Sequence, residues 1–173
     1  TMEDIFHRVS IRKYEDREVE PDKIIQILKA AMAAPSAADQ QPWEFYVVTD
    51  IELMQKLAVA SPYAGPLKNA PAAIIAAYRK KCIFPDFAQI DMSIAMENMW
   101  LEADELGLGG VWLGIAPMKD RMEMVEQILS IPEDQSAFGI FAFGYPAEEK
   151  IQENRFDPSM VHYVTDTEEG SEE

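Results

Sequence analysis

Cysteine is almost absent from this 173-residue chain: Cys82 stands alone. One cysteine excludes an intrachain disulfide and any cysteine-based metal site, and it reads as a small buried hydrophobe compatible with a reducing cytosol. Histidine is nearly as scarce. His7 and His162 are the only two, and neither has a nucleophile or a metal partner beside it in sequence, so both read as surface or packing residues. No uninterrupted apolar run approaches membrane-spanning length and no basic, apolar leader opens the sequence, which sets the expectation of a cytoplasmic protein without a membrane partner. The Lys-Ser/Thr phosphate loop, Gly-x-Gly-x-x-Gly, His-Glu-x-x-His and Gly-x-Ser-x-Gly are all missing. Positive charge is short as well: 15 Lys and Arg against 31 Asp and Glu give a net charge of -16. Such a field repels nucleic acid and anionic lipid over a broad surface but still allows one small anion in a local arginine pocket.

What is present can build a core. With 48% apolar and 27% charged residues, the length suits one domain, expected over residues 1–165, followed by an acidic and mobile tail at 166–173. Thr1 ahead of Met2 reads as an added residue. No repeat, low-complexity tract or composition break divides the chain.

Met2 to Val9 has the character of a short helix. Pro21 suits a first helical position, and Ile24, Ile25, Leu28, Ala31 and Met32 follow at helical spacing until Pro35. Pro35 to Pro42 is a polar, turn-forming loop, from which Trp43 leads into a strand at Glu44 to Thr49. Asp50 can cap a helix to about Ala60, and the breaker-rich link Ser61 to Pro66 follows. Ala72 to Tyr78 is a continuous apolar run, as expected of a strand covered on both faces. The longest helix is expected from Asp86 or Phe87 to Leu106. Its apolar residues cover more than one stripe, so it is either a central core helix or has a second burial surface at a subunit interface. Gly107 to Gly114 stops that helix and opens a short strand, Lys119 to Leu129 reads as a helix, Pro132 to Gln135 as a turn, and Ser136 to Phe143 as a buried strand. This alternation suggests an α+β or three-layer sandwich on a mixed sheet.

The chemistry lies in the loops. Arg8-Val9-Ser10-Ile11-Arg12 sets two guanidinium groups and a hydroxyl at alternating positions, a donor set that suits phosphate oxygens. The competing reading is a solvated basic turn paired with Glu3, Asp4, Glu15 and Asp16. Pro35-Ser36-Ala37-Ala38-Asp39-Gln40-Gln41-Pro42-Trp43 offers many side-chain donors and acceptors. Gly107-Leu108-Gly109-Gly110-Val111-Trp112-Leu113-Gly114 permits close backbone approach.

Taken in this order, together with Gly144-Tyr145-Pro146 and the later Arg155, these segments resemble the nitroreductase family of FMN-dependent oxidoreductases, in particular its short members. The likeness spans most of the chain. It implies an α+β fold, a three-layer α/β/α sandwich with a mixed sheet, and an intertwined homodimer with two FMN sites at its interface. Arg8, Ser10 and Arg155 then hold the phosphate. Arg12 reaches the ribityl chain and the pyrimidine edge, where a cation offsets the charge of reduced flavin. Pro35, Ser36, Ala37 and Asp39 belong to the flavin loop, with Ser36 edging the ring from the other subunit, and the backbone of Trp112, Leu113 and Gly114 lies beside N5 and the C4 carbonyl. No catalytic side chain and no metal is implied, since the flavin carries the chemistry. The family commonly has asparagine where this chain has Asp39, and a carboxylate near the ring opposes reduction.

The activity implied is hydride transfer from NADH or NADPH and delivery of electrons to a nitroaromatic, a quinone or a similar small acceptor by ping-pong turnover. A reductive dehalogenase-like flavoenzyme and a flavin-binding protein with little turnover are the alternatives. A dehalogenase needs an acid-and-aromatic lid, for which the link from Ala60 to Pro71 is short. If the roles above hold, Arg8→Ala and Arg155→Ala weaken FMN binding more than they slow reduction of the FMN that stays bound, because bonds to phosphate persist unchanged through the reaction. Arg12→Ala instead slows reduction at saturating FMN. Flavin titration combined with stopped-flow reduction separates the two effects, and equal affinity losses at all three positions would contradict the division.

Overall fold

In the computed structural model, which describes residues 3–166, the elements run α1 (Asp4–His7), α2 (Pro21–Met32), β1 (Trp43–Val48), α3 (Ile51–Leu57), β2 (Ala72–Arg79), α4 (Ala88–Glu105), β3 (Gly109–Gly114), α5 (Lys119–Leu129) and β4 (Gln135–Gly144). Thr1 and the acidic end from 167 on, where an added residue and a tail were expected, lie outside the described residues. Among the described residues no helix is long and apolar enough to cross a membrane.

The local signals act where they stand in the sequence. Pro21 occupies the first turn of α2, where its missing N–H costs nothing. Asp50 caps α3 by accepting the Leu53 N–H at 2.9 Å, and α3 stops at Leu57 rather than at Ala60. A short 3-10 turn, Pro85–Phe87, precedes α4. The buried stripe of α2 is Ile24, Ile27 and Ala31, rotated from the expected one: Ile25 and Met32 are each 52% exposed.

The four strands stand in the order β1-β2-β4-β3, and every pairing among them is antiparallel. The mixed sheet expected from sequence is therefore corrected. β2 and β3 do run in the same direction on either side of α4, but β4, last in the chain, inserts between them and splits the parallel pair that a strand–helix–strand crossover would otherwise make. Among the described residues the parallel contact recorded is an isolated bridge from Ser10 to Gly110 on the far edge of β3.

Helices cover both faces of this sheet. Along β2, Ala72, Ile74 and Ala76 pack with α2 and α4 residues such as Ile27, Met92, Met96 and Met99. Ala73 and Ile75 pack with Leu57 of α3 and Val125 of α5 on the other side. The period-2 alternation of a strand explains why the run reads as continuously apolar. β4 departs from it at one point. Ala76 faces Gly139 and Ala77 faces Ala137, so Phe138 is an extra residue in a bulge, which turns its ring to the same side as Phe141 and Phe143.

α4 buries Ala88, Asp91, Met92, Ala95, Met96, Met99 and Ala103, a helical stripe against the sheet and α2. A second apolar row, Phe87, Ile90 and Ile94, is left exposed in the single chain.

Close approach at β3 demands glycine. A Cβ on Gly110 would lie 2.5 Å from the Phe141 ring and 2.8 Å from the Ala142 carbonyl oxygen. Gly110→Ala is expected to destabilise the fold by about 1–3 kcal/mol through overpacking, read as a lower urea midpoint. Gly65→Ala, into open space, should leave the midpoint nearly unchanged.

Candidate active site

The outer edge of β3 is the starting point. β4 occupies one edge of the strand, and on the other the Ile11 N–H donates to the Gly110 carbonyl at 2.9 Å. Backbone polar groups of alternate residues point to alternate edges. With Gly110 facing outward, Trp112 and Gly114 face outward too, and Leu113 turns its backbone to Ile140 of β4. The Gly114 carbonyl accepts from Arg121 Nη1 at 3.1 Å. The Trp112 side chain packs beside Phe138, while a Cβ at Gly114 would meet open space. Trp112 and Gly114 thus offer main-chain groups at an accessible edge.

The same segment carries the arginines. Arg8 follows α1, with its N–H bonded to the Asp4 carbonyl at 2.9 Å. Its guanidinium lies over the Trp100 ring, 4.2 Å from Cζ to the centroid, and its Nε stands 3.8 Å from Glu97 Oε1. Arg8 Nη1 is buried and has no hydrogen-bond partner among the described residues. A guanidinium N–H left unsatisfied away from water is costly unless an anion meets it. Burial holds the Glu97 carboxyl above its ordinary range, with Arg8 acting in the opposite direction. Next to Arg8, His7 Nδ1 is 2.7 Å from Asp104 Oδ2, and this pairing raises the imidazole pKa.

A second strand of chain closes this region. Glu15 N–H donates to the Tyr145 carbonyl, Ala147 N–H to the Lys13 carbonyl, and Arg12 N–H to Glu148 Oε1 at 2.8 Å. Lys150 Nζ reaches the Ser10 carbonyl, and Gln152 Nε2 reaches the carbonyls of Arg8 and Ile5 at 2.6 and 3.0 Å. Residues 145–152 are thereby laced antiparallel to 5–15, and Arg155 follows three residues beyond Gln152. The Arg12 N–H, then Lys150, keep the Glu148 carboxyl below its ordinary range. The Arg12 and Arg155 side chains are exposed.

The loop from Pro35 to Pro42 is built differently. Ala38, Asp39 and Gln41 all have positive φ, at 50°, 52° and 45°, a strained set for residues other than glycine. What holds them is Asp91 of α4, which is 2% exposed. Its carboxylate accepts the Ala37 N–H at 2.9 Å and Gln40 Nε2 at 2.6 Å. Gln40 in turn exchanges hydrogen bonds with the main chain of Phe84, Ser36 Oγ accepts from the Gln41 N–H at 3.0 Å, and Asp39 Oδ1 accepts from Gln41 Nε2 at 2.8 Å.

Arg8, Ser10 and Arg12 are thus carried on a segment that meets the outer edge of β3 at Gly110, with residues 145–152 laced beside it, while no contact joins Arg155 to them among the described residues. Pro35, Ser36, Ala37 and Asp39 are anchored elsewhere, at the first turn of α4. Among the described residues no hydrogen bond joins that loop to residues 8–12 or to β3. Sequence reasoning missed Asp91, Glu97, Trp100 and Gln152. Asp91 had a signal, a carboxylate at helical spacing among Ala88, Met92 and Ala95. Gln152 had none.

A buried arginine donor without a partner, near an accessible strand edge, suits an anionic ligand. The chain belongs to the nitroreductase family, whose family model matches residues 5–61 and 60–145. A relative from Methanothermobacter thermautotrophicus, provisionally named NADH dehydrogenase/NAD(P)H nitroreductase, is 44% identical over 162 residues, 93% of this chain and 85% of the relative. The solved structure of an FMN-dependent nitroreductase from Clostridium difficile R20291 matches with a TM-score of 0.89 and 34% identity, over 95% of this chain and 99% of that one. A nitroreductase structure in complex with FMN, from Desulfovibrio desulfuricans, matches with a TM-score of 0.82 and 26% identity, over 96% and 97% of the two chains.

Asp91→Ala removes the acceptor of the part-buried Ala37 N–H and one of the two acceptors of Gln40 Nε2, so it is expected to lower stability by about 1–3 kcal/mol and to raise the hydrogen-exchange rate of the Ala37 amide, measured by NMR, while amides in β4 keep their protection.

Proposed function

We propose that the chain is an FMN-dependent oxidoreductase that takes a hydride from NADH or NADPH and passes electrons to a nitroaromatic, a quinone or a similar small acceptor. The observation that carries this reading is the buried, unpartnered Nη1 of Arg8 on a segment that bonds the β3 edge at Gly110 and leaves Trp112 and Gly114 accessible beyond it. An anionic group and a planar ring with polar edge atoms are what these two features fit, and FMN contains both. When bound, FMN supplies reversible two-electron chemistry, which lets reductant and acceptor take turns at one exposed face in ping-pong order.

The chain's own residues bind and orient. Arg8 and Ser10 take the phosphate, with Arg155 brought near by the lacing at Gln152. Arg12, exposed and cationic, reaches the ribityl chain and the pyrimidine edge and offsets negative charge there. Of the backbone expected beside N5 and the C4 carbonyl, Trp112 and Gly114 present the groups, and Leu113 serves from the strand interior. The loop at Pro35, Ser36, Ala37 and Asp39 stands apart from Arg8 within one chain, which favours its meeting the ring of a second copy.

That second copy is the other part of the proposal: a three-layer α/β/α sandwich paired as an intertwined homodimer. Its support is apolar surface. Ile90 and Ile94 on α4 and Phe87 just before it are exposed, as are Ile151, Phe156, Met160, Tyr163 and Val164 of the C-terminal arm, with Ile151 at 94% and Tyr163 at 92%. Such a row and such an arm gain by mutual cover. Reductive dehalogenation has less support, since Ala64 and Leu67 of the candidate lid are fully buried and tie the link to the body.

The purified protein is expected to be yellow, to bleach on anaerobic titration with one or both nicotinamides, and to sediment as a dimer at micromolar concentration. Steady turnover with a quinone or a nitro compound separates an enzyme from a flavin carrier. A colourless protein that takes up no FMN, or a flavin-loaded monomer, would contradict the respective half of the proposal.

A further inference from the structure

Arg8 is held from two sides by α4. Glu97 and Trp100, three residues apart, lie on adjacent turns of one helix face, with one reaching the guanidinium Nε and the other lying beneath its plane. The two holds differ in kind. Glu97 is an anion whose side chain is 46% exposed, whereas the Arg8 side chain is 15% exposed, so the carboxylate is the partner free to move. At 3.8 Å it sits at the long limit of an ion pair and leaves Nη1 unbonded. Trp100 binds the cation through its ring face without adding a negative charge.

We infer that Glu97 is the resident counter-ion of Arg8 and competes with the cofactor phosphate for it: it pairs with the guanidinium on Trp100 in the free protein and gives way, taking up a proton, when phosphate arrives. This rests on the flavin reading above. A phosphate at Arg8 places a second negative charge beside the carboxylate, and like charges at such range do not both stay ionised at low cost. Burial raises the Glu97 carboxyl against the opposing pull of Arg8, in the direction that favours proton uptake. Arg8 is the charged group that faces Glu97 from the α1 side. On α4 the neighbouring turn positions, Ser93, Ile94, Trp100 and Leu101, are uncharged. The next titratable groups along this face are Asp104 with its partner His7, and then Asp4 and Glu105. Trp100 retains Arg8 throughout, so the site does not collapse when Glu97 leaves.

The test compares FMN with riboflavin, which has the same ring and no phosphate, by fluorescence titration of the flavin-free protein and of Glu97→Gln, Trp100→Phe and Trp100→Ala. Glu97→Gln is expected to bind FMN roughly fivefold more tightly at pH 8, the scale of one screened charge interaction, and riboflavin as the wild type does. Calorimetry in buffers of different ionisation enthalpy should show less proton uptake on FMN binding in Glu97→Gln than in the wild type. Trp100→Ala should weaken FMN but not riboflavin, and Trp100→Phe should restore most of the loss. Unchanged or weaker FMN binding in Glu97→Gln, an equal shift for both flavins, or undiminished proton uptake overturns the inference alone. Failure of the wild type to bind either flavin overturns the flavin reading and this inference with it.

Discussion

The Ile11 N–H and the Gly110 carbonyl meet at 2.9 Å, and the geometry of this side of the molecule follows from that one bond. It fixes which β3 residues turn their polar groups outward, because alternation leaves no second choice once Gly110 is set. It also fixes the N-terminal segment, so that Ser10 lies at the bridge with Arg8 and Arg12 two residues to either side. The contact exists because the strand is bare of side chains there: a Cβ on Gly109 would come within 2.7 Å of Ile11 Cγ1. Glycine at 109 and 110 lets one backbone lie against another, and the remaining edge of β3 is kept for something else.

Much of this was legible in the residues. Pro21, Asp50, Gly107 and the apolar run at Ala72 to Tyr78 act through local chemistry, which a sequence displays directly, and the elements they mark fall within a few residues of expectation. The direction of the strands was not legible. β4 enters between β2 and β3 from the far end of the chain, and no local pattern records an insertion of that kind. Phe138 was equally hidden, since a bulge changes the parity of a strand without changing its composition. At the site, the arginines and glycines announced themselves by residue type. Asp91, Glu97 and Trp100 act because of what faces them across space, and that information belongs to the packing of α1 and the 35–42 loop on α4.

The charge balance has a local counterpart. A chain with net charge -16 spends its few cations sparingly, and two of those near the site already have acidic neighbours: Arg8 beside Glu97 and Lys150 beside Glu148. An anion entering such a neighbourhood competes with carboxylates already in place. The molecule's long-range field resists the approach, so the phosphate binding proposed above has to rest on short-range geometry, namely a fixed guanidinium, a hydroxyl and a strand edge, rather than on attraction at a distance.

The lacing of residues 145–152 onto 5–15 gives the molecule a timetable. Its side-chain bonds join positions 136, 140 and 144 residues apart in sequence, so two distant segments finish one structure together. During synthesis the N-terminal arginines emerge first and wait, with β1, β2 and α4 able to assemble behind them, until Tyr145 to Gln152 leave the ribosome and close the seam. Contacts this distant carry a high loop-closure cost and form late. The sheet, complete at Gly144, is thus made before the residues that seam Arg8 to Arg12 in place.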